Sequence, residues 1–140
     1  MVFTKKENIK GLQVKAKITK IAVDFDGVLS DFSSGWKSTR DISDPPVDGA
    51  IEWLSQLLQD DYFEVIIYSA RNFRWGGKRA IKKWLFKHGL MKSQIKKIKF
   101  PWFKPVCSFL LDDRVMCFKG KFPTKSEILN FKPWHGKGVW

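Results

Sequence analysis

Two apolar runs in this sequence each end in a pair of aspartates, and this feature constrains the fold more than any other. The first run, residues 18–23, leads into Asp24 and Asp26, and a later run leads into Asp112 and Asp113. Unbroken apolar runs of this length are typical of strands buried on both faces of a sheet. The sequence therefore predicts two buried strands with acidic carboxyl ends.

Strand and helix patterns alternate along the chain. Apolar residues recur at spacings of three and four in two segments, one after Pro45-Pro46 and one after Gly76-Gly77, which indicates amphipathic helices. Alternation of this kind predicts an α/β fold with right-handed crossovers and a central, mainly parallel sheet flanked by helices. The predicted helices span residues 47–60, 78–88 and about 125–130; the predicted strands span 18–23, 62–68, 95–100 and 106–111, with one more short strand after Arg114 and a loop or small hairpin over 28–44.

The chain is long enough for one domain and strongly basic. Its 140 residues are 44% hydrophobic, enough for a core, and its 26 Lys and Arg against 14 Asp and Glu give a formal net charge of +12. We expect a basic arm over residues 1–17, one domain over 18–132 and an aromatic tail over 133–140. The charge excess favours a polyanionic partner, either nucleic acid or a phosphate-bearing substrate.

Several classes of protein are excluded at this stage. The sequence contains no apolar run of about 18 residues and no apolar signal region near its start, so we expect a cytoplasmic protein with no membrane partner. Cys107 and Cys117 form no C-x-x-C pair, which argues against a zinc site or a disulfide framework. We expect both to be reduced, buried thiols.

The two acidic pairs predict a metal site. The carboxyl ends of parallel strands meet at one edge of a sheet, where ligands bind in such folds. Four carboxylates gathered there would repel one another strongly unless a cation lay among them, and hard oxygen ligands suit Mg²⁺. The alternative is that both pairs are solvated turn residues, since Asp and Gly are favoured where a strand enters a turn.

The order of these motifs resembles the haloacid dehalogenase superfamily of phosphohydrolases. Its four motifs correspond to IAVDFDGVLS, VIIYSAR, Lys104 and FLLDDR, within about residues 18–120. The resemblance implies a Rossmann-like α/β fold for the main domain and Mg²⁺-dependent hydrolysis of phosphomonoesters. Many members have Thr where this chain has Val28, but both residues occur.

The resemblance also implies a role for each residue of the first motif. Asp24 would be the nucleophile that forms an aspartyl-phosphate, and Mg²⁺ would neutralise charge on the phosphoryl oxygens. Asp26 would protonate the leaving oxygen and then deprotonate the attacking water, while its backbone carbonyl would be a metal ligand.

The later motifs complete the implied site. Ser69 would hydrogen-bond a phosphoryl oxygen, and Lys104 would pair with the nucleophile and the phosphate. Lys104 is preferred over the nearby lysines because it stands with Pro105 directly before the last core strand. Asp112 would bind the metal directly, and Asp113 directly or through water.

Neither insertion point holds a cap domain. The stretch from Asp26 to Ser69 is filled by a loop and a helix, and that from Ser69 to Lys104 by one helix and one strand. An uncapped, open site suits large substrates such as phosphorylated nucleic-acid ends, and nucleotides are also candidates. The expected substrate-binding residues are Arg71, Asn72, Trp36 and Trp75; alternatively, the rings pack the loops, and Arg71 and Asn72 lie at the surface or cap a helix.

Other readings stay open on the sequence. The chain could be a sugar-phosphate phosphatase that is completed by oligomerisation, or a nucleic-acid-binding module without activity; the sequence does not give its oligomeric state. A receiver domain has its acidic pair at the first strand and its phosphoacceptor on a later strand, and the order of motifs in this chain argues against that class. His88 and His135 are expected to be surface residues. A basic helix face is either solvated or binds nucleic acid, and consists of Lys78, Arg79, Lys82, Lys83 and Lys87.

Overall fold

A three-stranded parallel sheet forms the centre of the computed structural model, which describes residues 17–136. Its strands are β1 (Thr19–Val23), β2 (Phe63–Ile67) and β3 (Phe109–Leu111), in the order β2-β1-β3. In register, Val23 of β1 lies beside Ile67 of β2 and Leu111 of β3. The predicted α/β class with a parallel sheet and flanking helices is confirmed, and the three carboxyl ends lie at the same edge.

Within residues 17–136, four α-helices and one short 3₁₀ turn accompany the sheet. The two long helices arise from the segments with helical periodicity, and each starts after a glycine in the left-handed region, Gly49 (φ 82°) and Gly76 (φ 80°). Glycine adopts this conformation without the steric cost of a Cβ atom. The helices are α1 (Ala50–Gln59), α2 (Gly77–Lys87), α3 (Lys92–Ile95) and α4 (Lys125–Asn130), and the 3₁₀ turn is Ala70–Phe73.

One hydrophobic core joins β1 and β2 to α1 and α2. Leu54 of α1 and Ile81 of α2 are fully buried in it, as are Val23 and Ile67 of the strands. Burial of each such side chain stabilises the fold by about 1.5–3 kcal/mol. The core therefore holds rigid the strand ends at which the polar residues gather.

The structure corrects the predicted strand over residues 95–100. Residue Ile95 belongs to α3, and the following backbone continues in turns before Lys99 forms an isolated parallel bridge to Ile66. The N–H groups of Lys97 and Ile98 bond to preceding carbonyls in turns, and Pro101 has no N–H to donate. Lys99 alone is therefore bridged to β2 in this segment. This segment marks the position of a fourth strand without forming one.

The region after Lys104 is less buried than expected. β3 is three residues long instead of six, and Phe109 is half exposed. No further strand follows Arg114 within residues 17–136, whereas α4 forms where a short helix was predicted. The prediction of buried thiols is wrong for Cys117, which is exposed; Cys107 is partly buried, and neither forms a disulfide.

Loop 24–49 is irregular and contains no hairpin of regular strands. Ser30 makes isolated bridges to Asp26 and Pro46, and its side chain is buried. The described chain between β1 and β2 is thus this loop and α1, with no inserted domain. Within residues 17–136 no helix is long and apolar enough to cross a membrane. Most of the predicted arm, residues 1–16, and the end of the tail, residues 137–140, lie outside the described residues.

Candidate functional site

Three carboxylates from two adjacent strand ends lie together at the carboxyl edge of the sheet. Asp24 follows β1, and Asp112 and Asp113 follow β3; one oxygen from each lies within 4.8 Å of the others. The backbone N–H of Asp24 donates to the carbonyl of Leu111 at 2.9 Å, so the pairing of β1 with β3 extends to the cluster. Strand pairing itself therefore brings these distant residues together.

The environment of Asp24 disfavours its charged form. Burial and, next, the charge of Asp112 raise the pKa of Asp24 from 3.8 to about 8, with weaker contributions from Asp113 and Asp26. The N–H of Phe25 donates to Asp24 Oδ1 at 2.7 Å and opposes this rise. A cation beside the carboxylates would favour the ionised form of Asp24.

Asp26 lies apart from this cluster, in a salt bridge with Arg71. Arg71 Nε and Nη2 each lie 2.9 Å from an Asp26 carboxylate oxygen, in the bidentate geometry that is strongest for this pair. Arg71 Nη1 also donates to the carbonyls of Ser38 (2.7 Å) and Thr39 (2.8 Å). The salt bridge fixes the Asp26 side chain and ties the loop after β1 to the turn after β2.

Arg71 and Asn72 are buried beneath the site and do not lie at its open surface. The Arg71 guanidinium stacks 4.3 Å from the centre of the Trp36 ring, and only 2% of the residue is exposed. Asn72 Nδ2 donates to the carbonyls of Ile67 (2.8 Å) and Pro101 (3.0 Å). Their observed contacts are structural, and a direct contact with substrate stays a prediction for both.

Ser69 lies two residues after the end of β2 and lines the same cavity as Asp24 and Asp112. Its Oγ accepts the N–H of Arg71 at 3.2 Å and so caps the 3₁₀ turn. Ser69 is 3% exposed, and its hydroxyl hydrogen can still be donated to a ligand.

Asp112 and Asp113 are consecutive in sequence but have different hydrogen-bond partners. Asp112 accepts the N–H of Arg114 at 2.8 Å and faces the cavity beside Asp24. Asp113 is buried, with Oδ2 2.6 Å from His135 Nε2 and 3.6 Å from Arg114 Nε. Its Oδ1 has no hydrogen-bond partner within the described part of the chain. A bound cation or an ordered water would satisfy this buried carboxylate oxygen.

His135 is part of this site, which corrects its expected surface position. Its side chain is 4% exposed and contacts the Phe32 ring, with centroids 5.6 Å apart. The neighbouring Trp134 Nε1 donates to the carbonyl of Gly27 at 2.7 Å. No sequence signal pointed to this contact, because it joins the chain's tail to residues far away in sequence. His88, by contrast, is partly exposed at the end of α2.

Gly27 is required where the tail meets the acidic cluster. Its φ is +80°, and a Cβ atom would lie 2.4 Å from Asp113 Oδ2 and 2.7 Å from His135 Nε2. Both the backbone conformation and the space therefore demand glycine.

The polar groups open onto a cavity of about 300 Å³. Among the residues expected from sequence, the cavity includes Asp24, Asp26, Ser69, Trp36 and Asp112. Its full lining is Asp24, Asp26, Phe32, Trp36, Tyr68, Ser69, Ala70, Phe73, Asp112 and Arg114.

Lys104 and Trp75 do not line this cavity. Lys104 is exposed in the loop before β3, and Trp75 is 86% exposed beside Arg40. The cation that does line it is Arg114, which follows the second acidic pair and was not singled out from sequence. Its position directly after Asp113 was the available signal.

The donor set of the cluster fits a hard cation. It contains carboxylate oxygens alone. One of its members, Asp113, has an unpartnered oxygen, and the pKa of another, Asp24, is raised by burial and then by the charge of Asp112. Mg²⁺ fits these donors, but so do other hard divalent ions.

Comparisons with known proteins provide no family assignment. No family model and no curated protein matches the chain. Among solved structures, the crystal structure of the Legionella pneumophila effector Ceg4 is similar, with 14% sequence identity and a TM-score of 0.49 over 76% of this chain and 79% of that one. A similarity at this level supports no conclusion about function.

Proposed function

We propose that this chain is a Mg²⁺-dependent phosphomonoesterase that uses Asp24 as its nucleophile. The observation that carries the proposal is the cluster of Asp24, Asp112 and Asp113 beside a cavity that also contains Ser69. When bound, Mg²⁺ would neutralise charge on the substrate's phosphoryl oxygens and on the carboxylates. With the motif order in the sequence, this arrangement supports a capless member of the haloacid dehalogenase superfamily.

Asp24 carries out the first step of the proposed reaction. Its carboxylate oxygen forms a bond to phosphorus while the bond from phosphorus to the leaving oxygen breaks, which gives an aspartyl-phosphate. The carboxylate must be ionised to attack, yet the pKa of Asp24 without metal is about 8. A cation at the cluster would lower this pKa and so increase the ionised, nucleophilic fraction of Asp24 near neutral pH.

Asp26 moves the protons in both steps. It donates a proton to the leaving oxygen, then removes one from the water that attacks phosphorus and releases phosphate and Asp24. Arg71 holds both Asp26 oxygens, so one of these hydrogen bonds must lengthen while Asp26 carries a proton. Arg71 is thus a positioning residue.

Two side chains supply contacts to the phosphoryl oxygens. Ser69 donates its hydroxyl hydrogen, and Arg114, which lines the same cavity, contributes positive charge. The role expected for Lys104 stays a prediction, since this side chain lies outside the cavity lining.

Turnover of p-nitrophenyl phosphate tests the proposal. We expect hydrolysis that requires Mg²⁺, stops in EDTA and is abolished by Asp24→Asn. The matched control is Asp61→Asn, which makes the same chemical change at an exposed site and should retain activity. Activity without metal, or activity that survives Asp24→Asn, would refute the proposal. If turnover requires metal and Asp24, a screen with sugar phosphates and nucleotides ranks the substrates.

A further inference from the structure

A second, larger cavity, here called the basic groove, lies along α2 and α3. Its volume is about 890 Å³, and the residues that line it include six cations and no aspartate or glutamate. Such a set of cations gives the cavity a positive potential that attracts anions, and one phosphate cannot neutralise them all. The six are Arg40, Arg79, Lys82, Lys83, Lys92 and Lys96.

Aromatic rings are exposed among these cations. Trp75 is 86% exposed, and the Arg40 guanidinium lies 4.5 Å from its ring centre. Phe86 is 53% exposed, with Lys92 Nζ 5.1 Å from its ring centre. Exposed rings beside cations are the combination that binds single strands, because bases stack on the rings while the cations contact the phosphates.

Shared lining residues connect the basic groove with the cavity of about 300 Å³ beside Asp24, here called the acidic cavity. A third cavity, of about 400 Å³, shares Trp75 and Arg79 with the basic groove and Phe73 with the acidic cavity. Lys78 and Trp102 also line it, with Lys78 Nζ 5.2 Å from the Trp102 ring centre. The same pairing of cation and ring thus extends along the path towards Asp24.

We propose that the basic groove binds single-stranded nucleic acid and that the phosphate at the strand's end is the group that enters the acidic cavity. The second half rests on the proposed phosphatase function, whereas the first half does not. A small sugar phosphate would occupy the acidic cavity alone and would leave the six cations and the exposed Trp75 unused. A polymer that carries both bases and regularly spaced phosphates uses both features.

Binding is tested on the full chain with the Asp24→Asn substitution, so that the strand is not altered. Fluorescence anisotropy with a labelled single-stranded 12-mer should give binding that weakens steeply as salt increases. We expect Lys82→Glu with Lys83→Glu to weaken binding at least tenfold and Trp75→Ala at least threefold. The matched control is Lys119→Glu with Lys121→Glu, which changes the net charge equally at exposed residues that line none of the three cavities.

Three results would overturn the binding proposal. Equal weakening by the two double variants would show that net charge alone attracts the strand. Binding that is unchanged by Trp75→Ala would show that no base stacks on the Trp75 ring. Equal or stronger binding of inorganic polyphosphate, an acidic phosphopeptide or anionic vesicles would show that the groove serves another anion. Circular dichroism confirms that each variant is folded.

Catalysis separates this proposal from the proposed function. In the chain with Asp24 intact, Lys82→Glu with Lys83→Glu should lower turnover of a terminally phosphorylated strand, relative to p-nitrophenyl phosphate, by at least tenfold. An unchanged ratio overturns the delivery of the strand's end. Absence of all turnover would refute the phosphatase function and this delivery with it, while the anisotropy result would still decide whether the groove binds nucleic acid.

Discussion

Replacement of Asp24 by Asn is expected to stabilise the metal-free protein while it abolishes turnover. Asp24 is crowded by Asp112, Asp113 and Asp26, and its pKa rises from 3.8 to about 8. When folding raises the pKa of a carboxyl group, the group's contribution to stability is fully present at a pH below its pKa in the unfolded chain. That contribution is lost as the pH rises from about 4 to about 8. Asn carries no charge and escapes this loss.

The magnitude follows from the difference between the pKa of 3.8 and the working pH. At about 1.36 kcal/mol per pH unit, the loss reaches about 4 kcal/mol at pH 7. Asp24 keeps part of its surface exposed to solvent, and solvent screening therefore reduces this loss of about 4 kcal/mol. We therefore expect Asp24→Asn to raise the free energy of unfolding by about 2 kcal/mol at pH 7 and by less than half of that near pH 5.

Urea unfolding in EDTA between pH 5 and 8.5 measures this change, with Asp61→Asn as the matched control at an exposed carboxylate. Addition of Mg²⁺ should narrow the difference, because the cation stabilises the ionised cluster of the unsubstituted protein. A variant that is no more stable than the parent at pH 7, or a gain that does not grow with pH, would refute the reasoning. A similar gain in Asp61→Asn would do the same.

Three further substitutions test other contacts. Arg71→Ala should lower the free energy of unfolding by about 3 kcal/mol in urea, because it leaves the Asp26 carboxylate without its partner; a loss below about 1 kcal/mol contradicts this. His135→Ala should weaken Mg²⁺ binding by about tenfold or more in titration calorimetry, since His135 orients Asp113, and unchanged affinity would show otherwise. Gly77→Ala should lower the urea midpoint, because its Cβ atom would lie 1.9 Å from the Arg71 carbonyl; an unchanged midpoint rejects that clash.

Local pattern was sufficient to predict most of the regular elements. The spacing of apolar residues and the positions of Gly and Pro located five elements close to their observed bounds: β1, β2, α1, α2 and α4. Burial of one face of a helix or strand requires apolar residues to recur with the period of that element. Prediction failed over residues 95–100, where a short helix and a proline compete with the strand for the same backbone groups.

The candidate site divides in the same way. The sequence by itself determined that Asp24 and Asp112 follow apolar strands, and parallel pairing then obliges neighbouring strand ends to meet. Only the tertiary structure decided that Arg71 forms a salt bridge with Asp26. It also decided that His135 contacts Asp113 and that Lys104 lies outside the cavity. These contacts depend on how loops and the tail return across the sheet edge, and no periodic pattern encodes the distance between side chains on separate irregular segments.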